Sequence, residues 1–307
     1  MVGPTASGKS ELALYLAECL NGEIINYDSV QVYRGLDIGS GKVGPVGRRR
    51  AAHHLLDVVE PGEVFTAGQY RRMALTVLAD VRQRGMLPIF AGGTGLYLRA
   101  LLDGLFDGPT RSGDLRARLH RMAGRRGPEA LHRVLRRLDS KAAHRIHPND
   151  TQKVIRAVEV CLLARQPVSA LYARGRERLQ GFKVFKAGLN PRRPELCERI
   201  DRRVEFMFAS GLIEETRAAL VRHAERLRIE PGALRALGYR QACAVLEDQL
   251  DPAGAIRATQ AATRQYAKRQ MTWFRRESDV TWFEGFGDDP KVQSRVFSWL
   301  TQVFAAE

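Results

Sequence analysis

The chain has 307 residues, a mass of 34.4 kDa and 44% hydrophobic content, enough to bury a core of its own, which excludes a peptide hormone or a disulfide mini-scaffold. Its cysteines, Cys19, Cys161, Cys197 and Cys243, form no Cys-x-x-Cys pair, and no apolar run approaches the ~20 residues of a membrane span; the expectation is a soluble, untargeted cytoplasmic protein without disulfides, structural zinc or membrane contact. With 49 Lys and Arg against 34 Asp and Glu, the net charge of +15 fits a polyanionic partner, although arginine enrichment also follows from a GC-rich genome.

Gly3-Pro4-Thr5-Ala6-Ser7-Gly8-Lys9-Ser10 matches G-x-x-x-x-G-K-[ST], and Leu12, Leu16 and Leu20 follow at helical spacing. Such a loop wraps a phosphate in backbone N–H groups and adds the positive end of a helix. Lys9 supplies a point charge and Ser10 a hydroxyl for Mg²⁺. Only Met1 and Val2 precede it, where a strand of about five residues is expected. Either the natural start lies upstream or the chain tolerates a shortened central strand.

Next, Gly22 to Asn26 reads as a strand leading into Tyr27-Asp28-Ser29-Val30-Gln31-Val32-Tyr33, which puts Asp28 at a strand C-terminus, where ligands of open α/β sheets collect. There it either holds Mg²⁺, as in a P-loop ATPase, or serves a transferase as general base. His53-His54 lacks metal-ligand spacing and reads as structural. Phe65 to Gly85 is a crossover helix and Leu87 to Ala91 a second strand, followed by the loop Gly92-Gly93-Thr94-Gly95-Leu96-Tyr97. Thr94 is expected to be free to donate to a phosphate or bridging oxygen. Two glycine loops on one sheet edge imply a ligand with phosphates at its centre.

From about Pro109 to Arg178 the pattern turns helical and basic, broken at Gly124 and Gly127-Pro128. Residues 111–145 hold eleven Lys or Arg against Asp114, Glu129 and Asp139, a local excess of +8 that is more than a solvated helix face usually carries. Strand character returns at Phe182 to Ala187; the remainder reads mostly as helix, with breaks at Pro231-Gly232 and Asp251-Pro252. Pro194 suits a helix start, and Arg199 and Arg203, four apart, share one face from which they either clamp a leaving diphosphate or are simply solvated. The acid-free stretch Ile256 to Arg276 carries Arg257, Arg264, Lys268, Arg269, Arg275 and Arg276 beside Trp273 and Phe274, a pattern that suits RNA, though the aromatics alone equally suit a core. The expected fold is α/β, a P-loop NTPase-like parallel sheet flanked by helices. Its catalytic core takes residues 1–108 and 179–307, and a mostly helical, basic insertion takes 109–178.

Together these segments, with His53-His54-Leu55-Leu56-Asp57, Pro148-Asn149-Asp150, Gly238-Tyr239 and Lys268-Arg269-Gln270-Met271-Thr272-Trp273, resemble the bacterial tRNA dimethylallyltransferase (tRNA isopentenyltransferase) family over nearly the whole chain. The resemblance implies a cytoplasmic, monomeric, Mg²⁺-dependent enzyme. It would transfer a dimethylallyl group from dimethylallyl diphosphate to N6 of the adenosine adjacent to the anticodon (position 37) in tRNAs reading codons that begin with U. Asp28 would take the amine proton, while Lys9, Thr94, Arg203 and Mg²⁺ on Ser10 stabilise the departing diphosphate held by Gly3, Pro4, Thr5, Ala6, Ser7, Gly8, Lys9 and Ser10. Contacts to tRNA would come from Asp28, Ser29, Val30, Gln31, Thr94, Arg116, Gln152, Lys153, Val154, Ile155 and Arg156. Others would come from Arg235, Gly238, Tyr239, Arg240, Lys268, Arg269, Gln270 and Arg275. Where the family shows Gly-Thr-Ala-Lys-Pro, this chain has Gly39-Ser40-Gly41-Lys42-Val43, losing a proline and gaining a glycine; no zinc-finger extension of the eukaryotic type is present. The rival readings are a P-loop small-molecule or nucleotide kinase and an RNA-binding ATPase. Neither class explains both basic blocks and the full motif set.

Overall fold

The computed structural model describes residues 1–229 and 232–305. The chain divides into two compact units, one of Met1–Leu101 with Gly181–Glu307 and the other of Leu102–Gln180.

The first unit is built on parallel strands. The phosphate loop runs into α1 (Lys9–Cys19), and β1 (Gly22–Asn26) is buried at every residue, as a strand covered on both faces must be. After α2 (Pro45–Arg50), β2 (His53–His54) pairs with one edge of β1; α3 (Ala67–Gln83), opened by a Thr66–Gln69 capping box, crosses over to β3 (Leu87–Ala91) on the other edge. Beyond β3 the second glycine loop leads into α4 (Gly95–Leu102).

The two residues ahead of the phosphate loop hold the sheet together. The Met1 ammonium donates to Phe90 O at 2.7 Å, Val2 N donates to Ala187 O at 2.9 Å, and Leu189 N donates to Val2 O at 3.0 Å. Met1–Val2 therefore lies between β3 and the later strand at Lys186–Leu189, in parallel register with Gly188.

In the second unit α5 (Gly113–Arg126), α6 (Pro128–Leu138), α7 (Ser140–Arg145), α8 (Thr151–Ala164) and α9 (Val168–Ala173) pack around Leu131, Leu135, Val154, Ile155 and Val158. The expected break at Gly127-Pro128 is the junction of α5 and α6, with Gly127 at φ +78 and Pro128 opening the next helix. Gly124 stays inside α5.

The chain returns to the first unit with β4 (Lys186–Leu189), four residues later than the predicted strand at 182–187. Its partners, Val2 and a strand at Val280–Phe283, run alongside only 186–189, so Phe182 and Phe185 pack without pairing, under Arg82 and against Trp299. Then come α10 (Arg193–Ala209), with Pro194 in its first turn, α11 (Leu212–Arg222), α12 (Ala224–Ile229), α13 (Tyr239–Leu246) and α14 (Pro252–Phe274). Asp251-Pro252, expected as a break, is a helix start whose Asp251 carboxylate caps Gly254 N at 2.8 Å. Pro231 of the other expected break lies outside the described residues. β5 (Val280–Phe283) and α15 (Pro290–Ala305) follow, so the remainder, expected to be mostly helix, also contains a strand. Its Val-Thr-Trp-Phe run carried a strand signal, but it is only four residues long.

Candidate active site

The phosphate loop is held open by its backbone. Ala6 sits in the left-handed region at φ 62, a conformation costly for a residue with a Cβ, and Gly8 ends the loop at φ 83. Gly8 offers no side-chain cap to α1, so the first N–H groups of that helix are left for a ligand. Around the loop, Gly287 N donates to Ser7 O at 2.9 Å, and a Cβ on Gly8 would stand 2.6 Å from Asp288 Oδ1. Ser7 is fully buried and its Oγ has no hydrogen-bond partner among the described residues.

Lys9 Nζ donates to Pro4 O at 2.5 Å. Burial, reinforced by Arg203 and opposed by Asp28, pulls the Lys9 ammonium down to about 7 from an ordinary 10.5. Arg203, from α10, is lowered as well: burial lowers it, Asp28 opposes, Arg199 adds repulsion. This is a site with more cation than its surroundings satisfy.

Asp28 faces these cations at the C-terminal end of β1. Buried Asn26 fixes its backbone: Asp28 N donates to Asn26 Oδ1 at 3.0 Å, while Asn26 Nδ2 donates to Leu55 O at 3.0 Å. Within the turn, Val30 N donates to Asp28 Oδ1 at 2.8 Å. The other oxygen, Oδ2, looks across the second glycine loop, 3.1 Å from where a Cβ on Gly93 would lie. One oxygen anchors the carboxylate; the second is turned to the cleft.

A single side chain joins the two glycine loops. Gln270, on α14, accepts from Thr5 N at 2.7 Å and donates from Nε2 to Gly93 O at 2.8 Å. A cleft of about 440 Å³ opens between them, lined among others by Thr5, Lys9, Asp28, Gly93, Arg203 and Tyr266.

Several sequence expectations are corrected here. Thr94 is engaged: its Oγ1 donates to Ser29 Oγ at 3.0 Å and accepts from Ser29 N at 2.9 Å, so its proton is committed to pinning the 28–31 turn. Arg199 and Arg203 both line the cleft, but Arg199 pairs with Asp288 at 2.7 Å and lies over the Phe286 ring. Gln270 is 5% exposed where it lines the cleft, Tyr239 is fully buried with its hydroxyl donating to Glu215 at 2.7 Å, and Gly238 is buried beside it. Trp273 packs on Gly95 under the Arg99 guanidinium, 4.1 Å from its ring centre, and Arg264 is paired with Asp201. Arg235, Arg240, Lys268, Arg269 and Arg275 are exposed, and Ser29, Val30 and Gln31 half-buried.

In the second unit Gln152 and Lys153 are exposed, whereas Val154 and Ile155 are core. Arg116 and Arg156 converge on the fully buried Glu159 at 3.2 Å and 2.8 Å, where Ser112 N also donates at 2.8 Å. Asn26, Glu159, Glu215 and Asp288 were not singled out from the sequence. Each is a polar residue whose partner is distant along the chain, and only the buried, lone polar position inside an apolar run (Asn26, Glu159) was a signal.

A family profile described as IPP transferase matches residues 31–277. This chain belongs to the IPP transferase family. It is 54% identical over 292 residues to the tRNA dimethylallyltransferase of Koribacter versatilis, covering 95% of this chain and 94% of that one. With the tRNA dimethylallyltransferase of Solibacter usitatus it shares 52% identity over 307 residues, 98% of each. The crystal structure of full-length tRNA isopentenylpyrophosphate transferase from Bacillus halodurans superposes with a TM-score of 0.70 at 34% identity, covering 98% of this chain and 94% of that one. Among the family's members, this chain's fold is the expected parallel sheet flanked by helices. No helix among the described residues is long and apolar enough to cross a membrane.

Proposed function

We propose that the protein is a tRNA dimethylallyltransferase that carries a dimethylallyl group from its diphosphate to N6 of the adenosine adjacent to the anticodon, in tRNAs reading codons that begin with U. The observation that carries the reading is that the Asp28 carboxylate lines one cleft with Lys9 and Arg203, both of which its charge acts on. The acceptor amine is a weak nucleophile because its lone pair is delocalised into the ring. As N6 bonds to the allylic carbon, the C–O bond to diphosphate breaks and its electron pair leaves with the diphosphate. Asp28 Oδ2 is the oxygen available to take the N6 proton. The leaving charge falls on the free N–H groups of the first turn of α1, on Lys9 and on Arg203. Thr94 supports this through Ser29, by fixing the turn that carries Asp28.

The loop suits Mg²⁺: the orphaned Ser7 Oγ and the uncapped helix start form a cradle for phosphate oxygens, and Ser10 offers an exposed hydroxyl beside it. Such an ion takes one or two protein ligands and the rest from phosphate and water, which matches a site whose described residues contain no cluster of three His, Cys, Asp or Glu. When bound, it neutralises charge on the diphosphate. The exposed arginines and lysines of 235–275 and the second unit's Gln152, Lys153 and Arg156 are the side chains for tRNA phosphates. The protein acts as a monomer in the cytoplasm.

The test is incubation with radiolabelled dimethylallyl diphosphate and unmodified tRNA. Label should enter the RNA with the wild type and not with Asp28→Asn, which should still bind tRNA within a few-fold. No label with wild type, or full transfer by Asp28→Asn, overturns the reading.

A further inference from the structure

Arg203 is placed by a loop rather than by a partner. Among the described residues no carboxylate or carbonyl holds its guanidinium by a hydrogen bond or ion pair, yet it sits on the cleft wall beside Lys9. What it packs against is bare backbone: Gly41 lies at φ +59, and a Cβ there would overlap Nη2 of Arg203 and stand 2.9 Å from the central guanidinium carbon.

The loop carrying Gly41 is latched from both sides. On α11, the Glu215 carboxylate accepts backbone N–H groups of Asp37 at 2.9 Å, Ile38 at 2.9 Å and Gly39 at 3.3 Å, and the Tyr239 hydroxyl orients it at 2.7 Å. At the other end Lys42, with its side chain 1% exposed, spends its three donors on Tyr33 O at 2.7 Å, Asp37 Oδ1 at 2.6 Å and Asp57 Oδ1 at 2.7 Å. Gln31 Nε2 adds donations to Ser40 O at 3.2 Å and Gly41 O at 3.3 Å, tying the loop to the turn that holds Asp28. Charged groups this well satisfied fix a conformation.

We propose that the 37–42 loop is a rigid seat for Arg203 and that Gly41 is a positioning residue, whose missing side chain sets the guanidinium at the diphosphate subsite. The inference rests on the reading of Arg203 as a diphosphate ligand. The group a methyl would meet is the far end of a flexible side chain, so the substitution moves Arg203 rather than the fold. The backbone cost of a left-handed alanine is separate, and asparagine, which tolerates that region, removes most of it.

The experiment titrates inorganic diphosphate calorimetrically into wild type, Gly41→Ala, Gly41→Asn, Arg203→Ala and the Gly41→Ala/Arg203→Ala double variant, with thermal melts to verify folding. Arg203→Ala should weaken binding about tenfold, the loss of one charge-assisted contact. Gly41→Ala and Gly41→Asn should each weaken it severalfold while leaving tRNA affinity within twofold, and Gly41→Ala should add less than twofold once Arg203 is gone. If Arg203→Ala binds diphosphate like wild type, the assignment of Arg203 fails and the seat with it. If Arg203→Ala weakens binding but the Gly41 variants do not, or if the two losses multiply in the double variant, the seat alone is overturned. Recovery of wild-type binding by Gly41→Asn but not by Gly41→Ala assigns the effect to backbone strain and likewise overturns it.

Discussion

Replacing Lys9 by methionine keeps the length of the side chain and removes its charge, which isolates the electrostatics of the cradle. In the ligand-free protein the ammonium is pulled down to about 7, chiefly by burial and then by Arg203. At pH 8 a group with that pKa carries roughly a tenth of a proton, so a bound diphosphate that restores its ordinary value draws in about 0.9 proton. An alkyl diphosphate is almost fully ionised at pH 8 and releases little in exchange. Calorimetric titration of dimethylallyl diphosphate at that pH, in buffers of different ionisation enthalpy, reads proton uptake as a slope. Wild type should give a slope near one proton and Lys9→Met a slope near zero. The same shift has a stability consequence of defined sign. Between about pH 7 and 10.5 the unfolded chain keeps the Lys9 proton and the native one does not, so stability rises with pH across that window. At pH 8 the cost to the wild type is at most about 3 kcal/mol, and Lys9→Met should be more stable by up to that amount without ligand. A wild-type slope of zero, or an equal slope in Lys9→Met, would refute the argument.

Gln270→Ala strips both bonds between the glycine loops, leaving Thr5 N unpaired and Gly93 O with the Tyr266 hydroxyl at 3.3 Å; melting should show a loss of about 1–3 kcal/mol, accompanied by weaker diphosphate binding. Lys268→Ala, at an exposed position of α14, should lower tRNA affinity and reduce the slope of log K against log salt by about 1, and an unchanged slope returns Lys268 to an ordinary solvated face. Glu23 is held at about 2, below its usual 4.5, first by the Arg84 guanidinium and, against its burial, by His54. The stability this contributes is fully present above pH 4.5 and drains as pH falls toward 2; with Arg84 42% exposed it amounts to about 2 kcal/mol. Urea midpoints at pH 6 and pH 3 should therefore fall further for wild type than for Glu23→Gln, and equal falls would remove Glu23 from the acid response.

What the sequence disclosed was whatever is coded locally. The phosphate loop, the β1 and β3 strands, the crossover helix and Asp28 at a strand end each depend on a few consecutive residues, and α3 begins at its Thr66–Gln69 box as capping chemistry requires. What it withheld was pairing across distance. β4 starts at Lys186 because Val2 and β5 stop it there, β2 is two residues long, and Gln270 reads from its neighbours as one more residue of a basic helix. Only the coordinates turn its amide between Thr5 and Gly93. Thr94 shows the same limit, since nothing local predicts its bond to Ser29, 65 positions earlier. The glycine at 41 was visible as a departure from the family pattern, and Arg203 as a candidate diphosphate residue, but not that the two are neighbours.

The costs built into the cleft run in one consistent direction. Ala6 is left-handed, the start of α1 is uncapped, Ser7 Oγ is buried without a partner and the Lys9 ammonium is driven toward neutrality. The last three of these costs are relieved by an oxygen anion, and none by an apolar group. A single carboxylate is too small to meet the N–H groups of the loop, Lys9 and Arg203 together, whereas a diphosphate presents enough oxygens and charge to meet all three. The same reasoning limits where the base can stand. A carboxylate within contact of the phosphates would repel them, so Asp28 is useful only if held back across the cleft, and Asn26 and the amide of Val30 hold it there. On the proposed reading, the residues for the donor and the residue for the acceptor are separate sets, and Gln270 bridges Thr5 and Gly93 between them. Loss of that amide should accordingly reduce catalysis more than it reduces the binding of either substrate alone.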